Sequence, residues 1–578
     1  MSVSDTMDLA GQARARLGPP WRLLLVGLFL MVIGIAVAAR VERSGGVDLH
    51  DVRFTADDGT VFSGLLYVPK TATADRPAPA ILAVHGYINT RETQSAFAIE
   101  FARRGYVVLA LDQRGHGYSG GAATTKGFGG PEGLAYLRSL DMVDRDQIGL
   151  EGHSMGGWAV LAAAAAMPDG YRSMVLEGSS VGAPFAPDGT TAWPRNLAVV
   201  FSRYDEFAPL MWGVPSGAAI GESAKLRAAF GTGQPVSAGR VYGDIAAGTG
   251  RILHSPPVTH PGDHISVVAI GHAIDWFART LKGGRPLPAT DQIWWWKEGA
   301  TGMALVGVFV FLLGAFGCLL ALPPFAALRG APVRGSAPAD LRWWALLGLT
   351  SFMPPITFFL VNFTNPPPLP VSAVFPQQIT TWLMIWALGN ATLALVLGAI
   401  LGRSRPEPGK PWGLAALLAL ATFAVVYGAV VVAGLALVDF RFWVLALKPL
   451  SLSQALAALV YLPGFTLFTC VSFRGLAGLL RGRARGAQYA VAVAGLALGF
   501  LVLTGGQYVY LFATGRLPAV TQALTLIVAM QFVPVLAALA VLAVYAWRRT
   551  DSYLPGALLA GLMATWYMVA GTATHFAG

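Results

Sequence analysis

Apolar and polar positions divide this chain of 578 residues into two unlike parts. Between about residues 40 and 290, short apolar runs alternate with helical stretches and with ordinary numbers of Asp, Glu, Lys and Arg. Beyond residue 300 the runs lengthen to about 18 residues or more, enough to cross the hydrocarbon core of a bilayer as a helix. Nine runs are that long: 21–39, 300–322, 342–362, 378–402, 412–438, 451–473, 488–513, 519–547 and 555–576. The first follows Arg14, Arg16 and Arg22, and Ala36-Val37-Ala38 resembles a signal-peptide cleavage site. Signal cores usually hold about 7–15 apolar residues, and Leu23–Ala39 is longer, so a retained anchor is expected.

In the first part, the runs Ile81–Val84, Val107–Leu111, Ile148–Leu150, Met174–Leu176 and Leu197–Val200 are short and apolar. Strands buried on both faces have that character. Their alternation with helical stretches predicts a mostly parallel sheet with helices on both faces. The expected organisation is a cytoplasmic N-terminus at 1–20, a membrane helix at 21–39, an α/β domain at 45–290, and an all-α polytopic transmembrane domain of about eight helices at 300–576.

Composition agrees. Charged residues make up 12% and hydrophobic residues 54%, whereas a soluble domain carries about 25% charged residues. The net charge of +10 does not point to nucleic acid. Many basic residues lie in short loops between apolar runs, and the soluble part has no basic stripe with interleaved aromatics. Those loops instead set orientation, since Lys and Arg accumulate on the cytoplasmic side. With the N-terminus inside, the inner segments hold Arg14, Arg16, Arg22, Arg329, Arg334, Arg342, Arg403, Arg405, Lys410, Arg474, Arg481, Arg483, Arg485, Arg548 and Arg549. The short outer loops hold only Arg441, Lys448 and Arg516. The α/β domain and the C-terminus are therefore expected outside the cytoplasm, in a multi-pass protein of the cell membrane. Trp294-Trp295-Trp296 before the second run fits an interfacial aromatic belt, or a buried patch of the soluble domain. Cys318 and Cys470 both fall in apolar runs, so the soluble part has no disulfide and no thiolate metal site.

The strand at 148–150 runs into Glu151-Gly152-His153-Ser154-Met155-Gly156-Gly157 and the Ala-rich stretch Trp158–Ala166. A G-x-S-x-G sequence between strand and helix lifts the serine hydroxyl clear of the sheet on a tight turn, at a helix N-terminus where negative charge is favoured. Ser154 is the candidate nucleophile; the plain alternative is a Gly-rich turn with a capping serine. His85-Gly86-Tyr87 ends the 81–84 strand, and the backbone N–H groups of Tyr87 and Met155 are the candidate oxyanion hole.

Asp112-Gln-Arg-Gly-His-Gly-Tyr-Ser119 follows the 107–111 strand. On this turn, together with the elbow, residues 45–290 resemble the α/β-hydrolase superfamily. Val52–Pro69 looks like the first hairpin of esterases and of dienelactone-hydrolase-like and prolyl-oligopeptidase-like members. The resemblance implies that the 112–119 turn is structural, so His116 is not catalytic. It also implies the chain order Ser, acid, His. Asp205, past the 197–200 strand, is then the acid, with Glu177 as substitute. His260 is the expected base and His264 the alternative; His254 lies in or beside a strand. The 55 residues from Asp205 to His260 exceed the family's usual spacing, so 208–248 is expected to form a small cap or to dock on the membrane part. No lid-sized insertion separates Met174 from Leu197.

The expected chemistry is acyl transfer through an acyl-enzyme, with no metal or organic cofactor. The expected partners are membrane lipids and a small-molecule or lipid-linked ester, and not nucleic acid. Acyltransferase, peptidase, and transporter or receptor with an inactive ectodomain are the competing readings. Asn390, Gln507, Gln522 and Gln531 are polar within spans; helix–helix hydrogen bonding is the expected role. The lack of charge at span centres argues against an ion pump. Pro354, Pro355 and Pro534 are expected kinks.

Overall fold

The computed structural model describes residues 18–331, 339–361, 363, 366–401 and 410–575. Arg14, Arg16, Arg334, Arg403 and Arg405 lie outside the described residues.

Helix α1 (Pro20–Glu42) leads into an antiparallel hairpin, β1 (Val47–Thr55) and β2 (Val61–Pro69). Then come β3 (Ala78–Val84), α2 (Ser95–Arg103), β4 (Val107–Leu111), α3 (Gly130–Ser139), β5 (Val143–His153), α4 (Met155–Ala166), β6 (Ser173–Glu177) and β7 (Leu197–Val200). Short α5 (Ala208–Trp212), α6 (Ala224–Phe230) and β8 (Val241–Tyr242) precede β9 (Arg251–His254) and α7 (Val267–Thr280). The sheet runs β1-β2-β4-β3-β5-β6-β7-β9-β8. All expected inner strands pair in parallel, from β4 through β9.

Alternation along the strands explains the two apolar layers. Leu82, Val84, Leu109, Leu111, Leu150 and Leu176 pack on one face against α4 residues such as Val160 and Leu161. Ile81, Ala83, Val108, Ala110, Val175 and Ala198 pack on the other against Phe97 and Phe101 of α2 and Ile270 and Phe277 of α7. A parallel sheet needs both faces covered, and the βαβ crossovers supply that cover.

Long helices make up the rest: α8 (Trp294–Leu320), α9 (Leu341–Phe358), α10 (Gln378–Leu401), α11 (Trp412–Gly434), α12 (Leu452–Leu480), α13 (Arg485–Val493), α14 (Gly499–Thr514), α15 (Ala523–Thr550) and α16 (Leu554–Gly571). A π turn, Ala494–Leu498, joins α13 to α14. A small hairpin, β10 (Phe440–Phe442) and β11 (Leu445–Leu447), lies between α11 and α12. With α13 and α14 counted as one rod, eight of the described helices, α1 included, are long and apolar enough to cross a membrane. Helix α9 is not among them, because Arg342 and the prolines within it lower its hydropathy.

The connections fall at two ends. At one end Lys410 reaches the Arg329 carbonyl, Gly330 bridges Thr550, and Arg481 pairs with Asp551. At the other, the chain after α11, α14 and α16 meets the sheet domain: Lys448 pairs with Glu92, Gly515 lies beside Ser216, and Thr574 exchanges backbone hydrogen bonds with Gly115 and Ala123. Helix α9 also runs between these ends: Trp343 donates to the Leu479 carbonyl at one, and Phe358 shares an apolar cluster with Ile88 at the other. Three of the four span amides join helices: Asn390 bonds Thr357, Gln522 bonds the Phe359 carbonyl, and Tyr567 bonds Gln531. Of the three tryptophans, Trp294 is buried, while Trp295 and Trp296 are exposed.

Candidate active site

The β5–α4 junction holds Ser154 at φ 55°, ψ −121°, a conformation that costs a non-glycine residue energy and persists only where its surroundings enforce it. They do so by close packing. A Cβ at Gly152 would sit 2.3 Å from the Gly156 carbonyl oxygen, and one at Gly156 would sit 2.0 Å from that of Val84. The Ser154 amide donates to the Glu177 carbonyl at 2.8 Å. Ser154 stands at the N-terminus of α4, where the dipole favours an anion. The Met155 amide, first in α4, has no intrahelical acceptor by helix geometry. Gly86 lies directly against Ser154, a Cβ there falling 3.0 Å from the serine Cβ. That contact brings the 85–87 turn against Ser154.

His260 Nδ1 lies 2.8 Å from Asp205 Oδ2. The other Asp205 oxygen accepts from the Phe207 amide at 2.7 Å, so both oxygens are fixed. Burial alone would depress the His260 pKa, but Asp205, then Glu206 and Asp263, outweigh it and hold the value above that of a free imidazole. The His260 ring stands 4.7 Å from that of His153, the neighbour of Ser154, and 4.6 Å from Phe207. Asp205 and His260 are thus brought together from loops past β7 and β9.

His264 is placed differently. Its Nε2 meets Gln94 Oε1 at 2.9 Å, and its Nδ1 accepts from Trp443 Nε1 at 3.3 Å. Both ring nitrogens are occupied, and burial pushes its pKa down to about 3. Its ring packs 3.8 Å from that of His153. Glu177 is buried with no hydrogen-bond partner for either carboxyl oxygen among the described residues. Burial, with Asp263 nearby, pushes its pKa well up. His254 ends β9 and stacks on His272. His116 Nδ1 meets its own turn at the Arg114 carbonyl, and the Asp112 carboxylate accepts from the Tyr118 and Arg91 amides.

Several neighbours carry no sequence signal of their own. Glu206 Oε2 accepts the His260 amide at 2.8 Å, while its Oε1 accepts from the Tyr508 hydroxyl of α14 at 2.9 Å. The Tyr87 hydroxyl meets His575 Nε2 at 2.8 Å. Ser202 Oγ donates to Asp263 Oδ1. His153, His260 and Asp263 offer atoms within 4.8 Å of one another that could hold a metal. A metal taking His260 Nδ1 would compete with the Asp205 bond.

A family model described as alpha/beta hydrolase fold matches residues 79–210. Over 122 residues the chain is 36% identical to a quorum-quenching protein, AidA, of Acinetobacter baumannii, covering 20% of this chain and 39% of that protein. It is 34% identical over 122 residues to a monoacylglycerol lipase of Mycolicibacterium smegmatis, covering 18% and 40%. The chain thus spans about two fifths of the length of these curated relatives. Among solved structures, an esterase of Pyrococcus furiosus, Pf2001, aligns at 17% identity over 41% of this chain and 93% of its own, with a TM-score of 0.30. Residues 79–210, with their parallel sheet and strand–serine–helix elbow, are an alpha/beta hydrolase domain, in a chain that also carries long apolar helices fit to cross a membrane.

Proposed function

We propose that this protein is a membrane-anchored serine hydrolase that cleaves carboxylic esters. Ser154 is the nucleophile, His260 the general base and Asp205 the acid that orients it. The observation that carries the reading is the 2.8 Å contact of His260 Nδ1 with Asp205 Oδ2, set beside a serine held at positive φ on the elbow. With Nδ1–H donated to Asp205, Nε2 is the basic nitrogen. It takes the Ser154 proton as the oxygen attacks the ester carbonyl, and Asp205 stabilises the imidazolium that forms. The Tyr87 and Met155 amides hold the oxyanion. The alkoxide leaves with the proton from His260, and water then resolves the acyl-enzyme through the same base.

The hydrolase domain (45–290) stands outside the cytoplasm, between the first membrane helix (21–39) and the helices of 300–576, with the N-terminus (1–20) inside. Basic residues Arg329, Lys410, Arg481 and Arg548 gather at the helix ends away from the sheet domain, as cytoplasmic loops do. A lipid-linked or amphiphilic ester is the proposed substrate, because the hydrolase domain packs on long apolar helices fit to cross a membrane. The monoacylglycerol lipase relative points the same way. The test is labelling with a fluorophosphonate: the wild type labels and Ser154→Ala does not. Undiminished labelling of Ser154→Ala overturns the proposal.

A further inference from the structure

Three elements of the helical region reach residues of the candidate site. Trp443, in the turn of the β10–β11 hairpin, donates to His264; His575, past α16, meets the Tyr87 hydroxyl; and Tyr508 of α14 donates to Glu206. The third contact stands apart, because it continues without a break to the proposed base. The Tyr508 hydroxyl lies 2.9 Å from Glu206 Oε1, and Glu206 Oε2 lies 2.8 Å from the His260 amide. Glu206 is also the chain neighbour of Asp205.

We infer that Tyr508, a residue of the membrane-helix region, is a positioning residue for His260 and acts through the Glu206 carboxylate. The inference rests on the Ser154–His260–Asp205 reading and extends it: part of the hydrolase machinery is supplied by the helices.

The physical argument concerns charge in a dry place. Glu206 is 2% exposed, and burial, with Asp205 adding to it, lifts its pKa to about 7. A hydroxyl that donates to the ionised carboxylate favours the charged form. The charged form in turn favours the imidazolium of His260, which forms as the serine proton is taken. The groups facing His260 are Asp205 and Glu206 from the β7–α5 loop, Asp263 and His264 from the turn that follows it, and His153 at the end of β5. Those facing Glu206 are Asp205, His260 and Tyr508. Tyr508 is the one contribution among these from outside the sheet domain. Its ring stands 6.2 Å from that of Phe512, which packs on Tyr204, so the hydroxyl is held by packing between the two parts.

The test uses the full chain in detergent micelles with p-nitrophenyl butyrate. Tyr508→Phe keeps the ring and removes the donor. The Glu206 pKa then rises further, less carboxylate is ionised near neutral pH, and the His260 pKa falls. The acid limb of kcat/KM should therefore move to lower pH. Its plateau should drop roughly three- to tenfold, through kcat rather than KM. Glu206→Gln should shift the limb in the same direction, and Tyr508→Phe added to Glu206→Gln should change nothing more. Phe512→Leu loosens the same packing without touching the hydroxyl, and its limb should stay at the wild-type pH. An unmoved limb in Tyr508→Phe, full additivity in the double variant, or an equal shift in Phe512→Leu would each overturn the inference. None of these outcomes bears on whether Ser154 is labelled, so the hydrolase reading stands or falls separately.

Discussion

Replacing Asp205 by Asn tests the proposed chemistry most sharply, because the structure dictates how the new amide must sit. One Asp205 oxygen accepts the Phe207 amide at 2.7 Å and the other meets His260 Nδ1 at 2.8 Å. An asparagine has one acceptor oxygen and one NH2. Turning the NH2 toward the Phe207 N–H sets two donors against each other in a buried place, a loss of about 1–3 kcal/mol. The oxygen therefore stays on Phe207, and the NH2 donates to His260 Nδ1. That bond forces the tautomer with hydrogen on Nε2, the nitrogen that must accept the Ser154 proton. The side chain keeps its size, so the fold should survive. Activity should drop about 10³–10⁴-fold in kcat, or about 4–5.5 kcal/mol of transition-state stabilisation. Turnover of p-nitrophenyl butyrate and the rate of fluorophosphonate labelling should fall together, while the melting temperature of the detergent-solubilised protein holds. Asp205→Ala imposes no tautomer and should lose less. A kcat for Asp205→Asn within tenfold of the wild type would refute the argument.

Three further outcomes are expected. His260 has a raised folded pKa, so kcat/KM should rise with pH through a limb above the free-histidine value of about 6.5. The stability linked to that residue runs the opposite way, being fully present below the unfolded pKa and lost as pH rises through the folded one; an activity limb below pH 6 would contradict both. Glu177, its carboxyl pushed well up by burial, makes no side-chain hydrogen bond among the described residues, so Glu177→Gln should keep activity within about threefold, no more than one ordinary hydrogen bond's worth. A loss as deep as that of Asp205→Asn would make Glu177 the acid instead. Glu92 faces Lys448 at 3.1 Å, Arg441 at 3.5 Å and Arg91 at 3.3 Å. Glu92→Gln removes the carboxylate that Lys448 pairs with and should destabilise by about 3–5 kcal/mol, as for other broken buried pairs. Lys448→Met leaves Glu92 two cations and should cost less; thermal unfolding in detergent that reversed this order would contradict the account.

The one-dimensional pattern was enough for the architecture. Short apolar runs between helical stretches can hardly be other than a covered parallel sheet, and runs of 18 or more apolar residues other than long helices, because burial of apolar surface dominates both choices. The elbow was legible too, since only glycine fits at 152 and 156 where backbones nearly touch. What the pattern left open was the partner of each polar side chain. His260 and His264 are four residues apart in similar surroundings along the chain. Only the folded loops decide that one faces Asp205 while the other bonds Gln94 and Trp443. Glu206 and Tyr508 are 302 residues apart, and His575 is 488 from Tyr87. Hydrogen bonds are short-ranged and directional, so contacts across such separations leave no trace in local periodicity. They arise only when the helices dock on the sheet domain and close over the candidate site.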